Sequence, residues 1–329
     1  MPGRVLTCGF RSGDFTDSLL GLDPVVHVFD AYHAGAIRAK WGREAVCAAH
    51  VPEGPFSEAY LKTGPRLMPA ELTLSQLQEI YLALEEGGIL HIVFEGTEAD
   101  ALAAAKKVFR RVKKVKGDKH TVLLEARREG ELKRVRDFSC EWPASVPGGT
   151  PLVFTSYPGC FCHRRVDEGG LALAETVCAR EAPGAGAPKI LDMGCGCGLV
   201  GLLVADAMRR AGRAYSLTMI DSHSRAVEAA QLNARKFGIE AETILSAGGI
   251  PRDKAHLGRY DVFVGNPPYY SDYRIADVFL ETAWASLKPG GRCYTVVKTA
   301  TGLLPLQEKY FRRAEVVPRR NYAVLVSAR

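Results

Sequence analysis

The chain has 329 residues, 47% hydrophobic and 24% charged with a net charge of +6, a composition typical of globular proteins with room for two domains. A membrane protein is excluded, because no apolar run approaches the roughly 20 residues that a span needs, and Met1 to Phe10 lack the features of a signal peptide. The nine cysteines do not follow the pattern of a small secreted domain, so we expect a cytoplasmic protein with reduced thiols.

The chain contains an internal repeat. Three segments of the first half recur in the second half in the same order, each centred on an apolar strand. The pairs are Val26–Asp30 with Leu217–Asp221, Leu84–Phe94 with Leu287–Val297, and Phe109–Arg127 with Phe311–Arg329. We therefore predict two tandem α/β domains that arose by duplication.

The first copy lacks a loop that could hold a nucleotide. Nothing ahead of Asp30 corresponds to the glycine cluster of the second copy. We expect residues 1–141 to form a degenerate domain that binds substrate or supports folding and binds no cofactor. The Pro and Gly density of Trp142–Pro151 predicts an irregular linker, and residues 151–329 form the second domain.

Residues 100–116 are strongly basic, and we predict a helix there. Its cations are either a solvated face or a stripe that docks RNA, and the sequence favours neither; they are Lys106, Lys107, Arg110, Arg111, Lys113 and Lys114. A second cluster, with the same ambiguity, consists of Arg312, Arg313, Arg319 and Arg320. Acidic and basic residues balance over the first 150 positions, so the net positive charge lies in the second domain, which suits a polyanionic partner.

Cys160, Cys162 and His163 form a weak zinc signature. No second Cys/His pair lies at finger-like spacing, so we expect no metal. Cys195 and Cys197 stand between loop glycines, where small packing residues are expected.

A strand, a glycine loop and a helix follow one another in the second domain, in the segments Lys189–Met193, Gly194–Gly198 and Leu199–Met208. This order places loop amides and a helix amino end against a ligand. Gly196–Gly201 also matches the dinucleotide fingerprint, so a nicotinamide enzyme is an alternative. Asp192 argues against it, because a carboxylate there would repel a pyrophosphate but attract the amino group and sulfonium of S-adenosylmethionine.

The candidate cofactor residues lie on this loop and at the ends of the next two strands. The loop supplies Asp192, Gly194, Cys195 and Gly196. Asp221 can accept both ribose hydroxyls, and Ser222 follows it at the start of a helix that ends at a C-cap glycine, Gly238. The third strand, Glu242–Ala247, leads into Gly248 with no acidic residue for the adenine amino group, so backbone near Ala247 would contact adenine.

The most specific motif is Asn266-Pro267-Pro268-Tyr269, after the apolar strand Tyr260–Gly265. Methylation of an aromatic amine is favoured by two acceptors on the NH2 group, and the Asn266 side-chain oxygen and the Pro267 carbonyl can supply them. Tyr269 offers a ring for stacking. We assign catalysis to Asn266, Pro267 and Tyr269, and we also place Asn266 beside the cofactor. Alone, the motif could be a simple turn.

On these motifs the chain resembles the bacterial ribosomal RNA small subunit guanine-N2 methyltransferases of the "methyltransferase small" group. Matching segments are Pro158–Phe161, Asp167–Gly169, Asp192–Gly196, Asp221 and Asn266–Tyr269. The resemblance implies two tandem Rossmann-like class I methyltransferase domains, the first degenerate. It implies S-adenosylmethionine as cofactor, guanine N2 of ribosomal RNA as target, and RNA as the partner. We also expect a monomer, with neither membrane nor metal as a partner. The expected substrate contacts are Phe161, Pro268, Tyr269 and Tyr270.

Two departures leave the nucleobase open. Tyr269-Tyr270 stands where that family more often has Phe-His, and Lys298 closes a strand where a small or neutral residue is usual. The motif also occurs in adenine-N6 and cytosine-N4 methyltransferases and in enzymes that methylate a glutamine of release factors, although the last group has a small helical amino domain. A non-catalytic RNA-binding or assembly protein is a further alternative.

Overall fold

The computed structural model of the protein describes residues 3–268 and 273–329. The chain divides into two compact units, Met1–Ser139 and Cys140–Arg329. None of the described helices is both long and apolar enough to cross a lipid bilayer.

The first unit is built on a seven-stranded sheet. Its strands are β1 (Val5–Cys8), β2 (Val25–Val28), β3 (Val46–Cys47), β4 (Phe56–Thr63), β5 (Leu84–Glu95), β6 (Arg111–Gly117) and β7 (Thr121–Arg127). Its described helices are α1 (Asp17–Leu20), α2 (Ala31–Trp41), α3 (Ala70–Ala83) and α4 (Glu98–Ala105). Across the sheet the order is β3-β2-β1-β4-β5-β7-β6, and β7 runs antiparallel to both neighbours.

The second unit begins with a hairpin, β8 (Cys140–Ala144) and β9 (Leu152–Ser156). Its main sheet contains β10 (Lys189–Met193), β11 (Ser216–Asp221), β12 (Glu242–Leu245), β13 (Tyr260–Gly265), β14 (Leu287–Val297), β15 (Glu315–Arg319) and β16 (Tyr322–Ala328). The described helices are α5 (Glu168–Glu181), α6 (Leu199–Arg210), α7 (Ser224–Phe237), α8 (Arg274–Ser286) and α9 (Ala300–Phe311).

The two sheets share one topology, as the sequence repeat predicted. The order β12-β11-β10-β13-β14-β16-β15 repeats the order of the first sheet strand for strand, including the antiparallel sixth position. Asp30 and Asp221 hold equivalent places, since each carboxylate accepts the backbone N–H two residues ahead, from Tyr32 at 2.8 Å and from His223 at 2.9 Å. The prediction of two tandem Rossmann-like domains is confirmed.

The apolar run of β10 explains why the second sheet is buried on both faces. Ile190 packs into one hydrophobic cluster with α5, α6 and α7, whereas Leu191 packs into another with α8 and α9. Helices on both faces of a largely parallel sheet favour continuous apolar strands over alternating ones. At the end of α7, Gly238 has φ +63° and forms the predicted C-cap.

The predicted basic helix over residues 100–116 is wrong. Helix α4 ends at Ala105, and β6 begins at Arg111 as the edge strand of its sheet. The β-branched Val112 and Val115 favour a strand, and lysines are the residues that commonly protect a sheet edge from pairing. Three cations of β6 pair with glutamates, Arg111 with Glu129, Lys113 with Glu125 and Lys114 with Glu98.

The predicted irregular linker is also wrong in its first part. Trp142 and Pro143 lie in β8, and the Trp142 ring stacks on Phe154 of β9 with ring centroids 5.3 Å apart. Burial of this aromatic pair outweighs the turn tendency of the proline, which a two-stranded ribbon tolerates because each strand has an open edge.

Candidate active site

The sheet of the second unit has a topological switch point between β10 and β13, where the strand order reverses. Ligands of open α/β sheets bind in the crevice at the carboxyl ends of the strands at such a point. Met193 lies opposite both Ile220 and Gly265 in the sheet. The residues that follow these positions, the glycine loop, Asp221 and Asn266, are therefore brought together at one edge.

The glycine loop is held in a conformation that L side chains rarely adopt. Gly194 has φ +68° and Gly196 has φ +55°. A Cβ at Gly194 would lie 2.7 Å from the Phe279 ring, whereas a Cβ at Gly196 would meet no atom within 4 Å. The Cys195 N–H donates to the Ile220 carbonyl at 3.0 Å, which fastens the loop to β11. The side chains of Cys195 and Cys197 are buried and pack in the core, as predicted from their size.

Asp192 lies beneath this loop and is only 2% exposed. Its Oδ2 accepts the Gly201 N–H of α6 at 2.8 Å, and a Cβ at Gly201 would lie within 2.8 Å of that oxygen. Burial, together with the smaller effect of the negative charge of Asp221, raises the pKa of Asp192 to about 7 against the opposing hydrogen bond from the Gly201 N–H. The site thus holds a carboxyl group that gains from any cation bound above the loop.

Asp221 connects the end of β11 to the loop. Its Oδ2 accepts the Gly196 N–H at 2.9 Å, and its Oδ1 accepts the His223 N–H at 2.9 Å. Carboxylate oxygens are acceptors of the kind that bind hydroxyl groups of a ligand. Ser222 is half-buried beside it, and a bond of 3.0 Å from the Ser246 N–H to the Asp221 carbonyl places the half-buried Ala247 at the same edge.

These contacts exclude a dinucleotide phosphate site in this loop. The N–H groups of Gly196 and Gly201 belong to the dinucleotide fingerprint, and both donate to carboxylates of the protein itself. A pyrophosphate would lose those donors and face two negative charges. The same buried acid and paired carboxylate fit a ligand that has a cationic amino group and a ribose but no phosphate.

Asn266 lies at the carboxyl end of β13 and is half-buried. Its Nδ2 donates to Oδ2 of Asp167 at 2.8 Å. Pro267 is buried and Pro268 is half-buried. Tyr269 and Tyr270 lie outside the described residues.

A loop between β9 and α5 carries Phe161, whose side chain is 68% exposed. The buried Arg225 of α7 donates from Nη1 to the Pro158 carbonyl at 3.2 Å and so ties this loop to the helix that follows Asp221. Cys160 is close enough to Asp221 and Arg225 to respond to both charges, although burial is the main reason that its pKa rises to about 12. The geometry therefore presents an exposed aromatic ring on a loop fastened beside the crevice.

The Cys160–His163 segment contains no metal-binding geometry. His163 Nδ1 lies 2.8 Å from Ser156 Oγ and 3.6 Å from Cys140 Sγ. Across residues 3–268 and 273–329, no three His, Cys, Asp or Glu side chains are grouped to hold a metal ion.

Sequence reasoning missed one polar anchor of the loop. Asn233 of α7 is fully buried, with its Nδ2 donating to the carbonyls of Cys197 and Thr155 at 2.9 and 2.8 Å. Its Oδ1 accepts the Thr155 N–H at 2.8 Å. In the sequence, Asn233 stands on the apolar face of the helix. A polar residue in that position is the signal that could have identified it as an anchor.

The equivalent crevice of the first unit is built differently. Cys8 lies opposite Leu61, as Met193 lies opposite Gly265, so Lys62 takes the place of Asn266. The Lys62 Nζ is 2.7 Å from Asp14 and 2.9 Å from Glu95, and its side chain is 18% exposed. A cluster of ion pairs thus joins Lys62 near the carboxyl end of β4 to Glu95 at the end of β5 and to Asp14 in the loop after β1.

A sheet of this order, with carboxylates and not a phosphate cradle at its switch point, defines a class I methyltransferase that uses S-adenosylmethionine. Residues 151–326 match the family model of the methyltransferase small domain, and the chain belongs to that family. The predicted enzyme class and cofactor are confirmed, and the nicotinamide alternative is excluded.

One named relative covers nearly the whole chain, and another covers about half of it. Ribosomal RNA small subunit methyltransferase C of Pseudomonas entomophila is 26% identical over 93% of this chain and 89% of that protein. The protein of that name from Pseudomonas aeruginosa is 33% identical over 48% of this chain and 45% of its own length. A solved 16S rRNA N2 methyltransferase of Thermus thermophilus, in complex with AdoMet and guanosine, has a TM-score of 0.81 at 20% identity, covering 99% of this chain and 88% of that one.

Proposed function

We propose that the protein transfers a methyl group from S-adenosylmethionine to the exocyclic N2 amino group of a guanine in small-subunit ribosomal RNA. The observation that carries the proposal is the position of Asn266-Pro267 at the carboxyl end of β13, one strand from the glycine loop at the switch point. The names of the relatives supply the substrate class.

The cofactor site uses the loop and the two strand ends. Bound S-adenosylmethionine supplies an electrophilic methyl on its sulfonium. Asp192 attracts the cationic amino group from below the loop, while the backbone of Gly194, Cys195 and Gly196 shapes the floor. Asp221 accepts the ribose hydroxyls, Ser222 and Ala247 border the adenosine, and Asn266 stands between cofactor and substrate.

The substrate amine is positioned by acceptors and rings. The side-chain oxygen of Asn266 and the carbonyl of Pro267 accept its two N–H groups, which turns the nitrogen lone pair toward the methyl. Stacking of the base falls to Tyr269, with Pro268, Tyr270 and Phe161 lining the entrance. Direct transfer needs no covalent enzyme intermediate, so positioning supplies most of the rate.

Nucleoside mass spectrometry of small-subunit RNA from a strain that lacks the gene tests this function. N2-methylguanosine should fall by one residue per subunit and return with the wild-type gene but not with Asn266→Ala. A loss of N6-methyladenosine with unchanged N2-methylguanosine would instead assign adenine as the target. An unchanged nucleoside profile, with purified protein inactive on unmodified subunits, would support a non-catalytic assembly role and overturn the proposal.

We assign the first unit to substrate binding or folding support, with one cofactor site per chain. The ion cluster of Lys62, Asp14 and Glu95 is the physical reason, because a ligand there would have to break two close ion pairs. Calorimetric titration should give one S-adenosylmethionine per chain. Asp30→Ala should leave that affinity unchanged whereas Asp221→Ala weakens it strongly, and a stoichiometry of two would contradict the assignment.

The turn between α4 and β6 is our proposed RNA contact on the first unit. Lys106, Lys107 and Arg110 are exposed and form no ion pair among the described residues, unlike the three paired cations of β6. Neutralising these three should reduce the slope of log affinity against log salt by up to about 2, since fewer counterions are released. Neutralising Arg111, Lys113 and Lys114 is the matched control and should have a smaller effect. Filter binding with small-subunit RNA distinguishes them, and equal effects would contradict the prediction.

Cofactor affinity should depend on pH through Asp192. Because its raised pKa of about 7 keeps part of the carboxyl neutral in the free protein, binding of a cationic amino group shifts it to the ionised form and releases a proton. Affinity should therefore rise between pH 5.5 and pH 7.5 by up to about tenfold per unit. Calorimetry in buffers of different ionisation enthalpy measures the proton release, and Asp192→Asn should abolish both effects.

We propose that the protein acts in the cytoplasm, where ribosomal subunits are assembled. We also propose that it acts as a monomer. Sedimentation velocity at micromolar concentration gives the oligomeric state directly.

A further inference from the structure

The Asn266 side chain is held by a carboxylate from another element. Asp167 precedes α5, and its two oxygens have separate partners. Oδ2 accepts from Asn266 Nδ2 at 2.8 Å, and Oδ1 accepts the Gly169 N–H at 3.1 Å as the N-cap of the helix. One side chain thus joins the amino end of α5 to the catalytic motif after β13.

Two consecutive glycines make room for this carboxylate. A Cβ at Gly170 would lie 2.6 Å from Asp167 Oδ2, the oxygen that meets Asn266. A Cβ at Gly169 would lie 3.4 Å from Oδ1 and 3.1 Å from the Tyr322 ring. Asp167 is mostly buried, and burial is the main cause of its raised pKa, while the N–H groups around it act in the opposite direction. The carboxylate is therefore confined to this place.

An amide has a donor end and an acceptor end of nearly the same shape, and packing alone does not distinguish them. An ionised carboxylate only accepts hydrogen bonds, so it can face Nδ2 of Asn266 but not Oδ1. We infer that Asp167 is a positioning residue that fixes the Asn266 amide with Oδ1 toward the substrate amine. The inference rests on the proposed function, in which that oxygen accepts an N–H of the target base. A flipped amide would set one NH2 group against another.

The test compares two substitutions of Asp167 that keep the cap of α5 but change the contact with the Asn266 amide. Asp167→Asn preserves the shape of the side chain but replaces one of the two acceptor oxygens with an NH2 group. If the remaining oxygen keeps the helix cap, the NH2 group faces Asn266 and favours the flipped amide. Asp167→Ser keeps a good N-cap but does not reach Asn266. We expect kcat to fall about 10- to 100-fold in Asp167→Asn and about tenfold in Asp167→Ser, because small misplacements of a positioning group have effects of this size. KM for RNA and Kd for S-adenosylmethionine should stay within about twofold of wild type, since ground-state binding is retained.

A double-mutant cycle separates positioning from general stability. In an Asn266→Ala background, Asp167→Asn should change the residual kcat by less than about twofold, because there is no amide left to orient. Additive losses, or a fall in kcat that follows the melting temperature across the variants, would overturn the inference. Full activity of Asp167→Ser with a tenfold or greater loss in Asn266→Ala would also overturn it. Absence of methyl transfer by the wild-type protein on unmodified small-subunit RNA would instead refute the proposed function.

Discussion

Replacing Asn266 with alanine is expected to lower kcat by about 100- to 1,000-fold, the range measured when one preorganised hydrogen-bonding group is removed from a transition state. The reason is that Asn266 provides one of the two acceptors proposed for the substrate amine, at the end of β13 where Asp167 holds its amide at 2.8 Å. The lone pair of an aromatic amine is delocalised into the ring, and it becomes available only as the nitrogen changes geometry during transfer. An acceptor in the correct place therefore acts mainly on kcat.

Single-turnover methylation of unmodified small-subunit RNA with labelled S-adenosylmethionine measures this effect. Cofactor Kd should change by less than about threefold, since most of the cofactor contacts that we propose belong to the loop and to Asp221. Asn321→Ala is the matched control, because Asn321 is an exposed asparagine in the turn between β15 and β16. A variant that kept wild-type kcat would remove Asn266 from catalysis, and an equal loss in both variants would indicate a non-specific effect.

The parts of the site that the sequence predicted are those with local signals. The strand before Gly194, the glycine loop and the helix from Leu199 follow one another directly, so turn chemistry and apolar runs identify them without any distant contact. The same holds for Asp221 and Asn266, which end apolar strands of a parallel sheet. Once the order of strands is known, these three segments must meet at the switch point.

Other site features depend on contacts between residues far apart in the chain. Arg225 reaches Pro158 across 67 positions, and Asn266 reaches Asp167 across 99. No local pattern of residues determines such a pair, because the backbone route between its members sets the distance. The sequence named Asp167 only as part of a family motif, and its bond to Asn266 could be found only in the folded chain.

The incorrect prediction of a helix over residues 100–116 has a different physical cause. Lysines and arginines occur there at spacings that fit a helical face as well as a strand edge, and charge alone does not distinguish them. The repeat contained the missing information: Phe109 corresponds to Phe311, which ends α9 just before β15. Both phenylalanines are buried, and both precede the short edge strand of their sheet. The two halves thus share the position at which the edge strand follows the buried phenylalanine.

The second large effect is expected at Asn233, where alanine should lower the free energy of unfolding of the second unit by about 2–4 kcal/mol. The substitution removes three hydrogen bonds and leaves the Thr155 N–H and the carbonyls of Thr155 and Cys197 buried without these partners. Each buried polar group that loses its partner keeps its desolvation cost, so the loss exceeds that of a surface bond. The Cys197 carbonyl belongs to the glycine loop, so cofactor affinity should fall as well.

Thermal unfolding of Asn233→Ala and Gln231→Ala compares the loss of a buried and of a part-buried side-chain amide on the same helix, α7. Gln231 of α7 makes a single part-buried bond from Nε2 to Thr243 Oγ1 at 2.6 Å, so its loss should cost less than about 1 kcal/mol. For a unit of this size the Asn233 variant should melt about 5–15 °C lower than wild type, and the Gln231 variant within a few degrees of it. Saturating S-adenosylmethionine should recover part of the loss at Asn233, because binding to the folded loop stabilises it by mass action. Equal melting temperatures for the two variants would mean that the buried amide is not the anchor between α7, β9 and the cofactor loop.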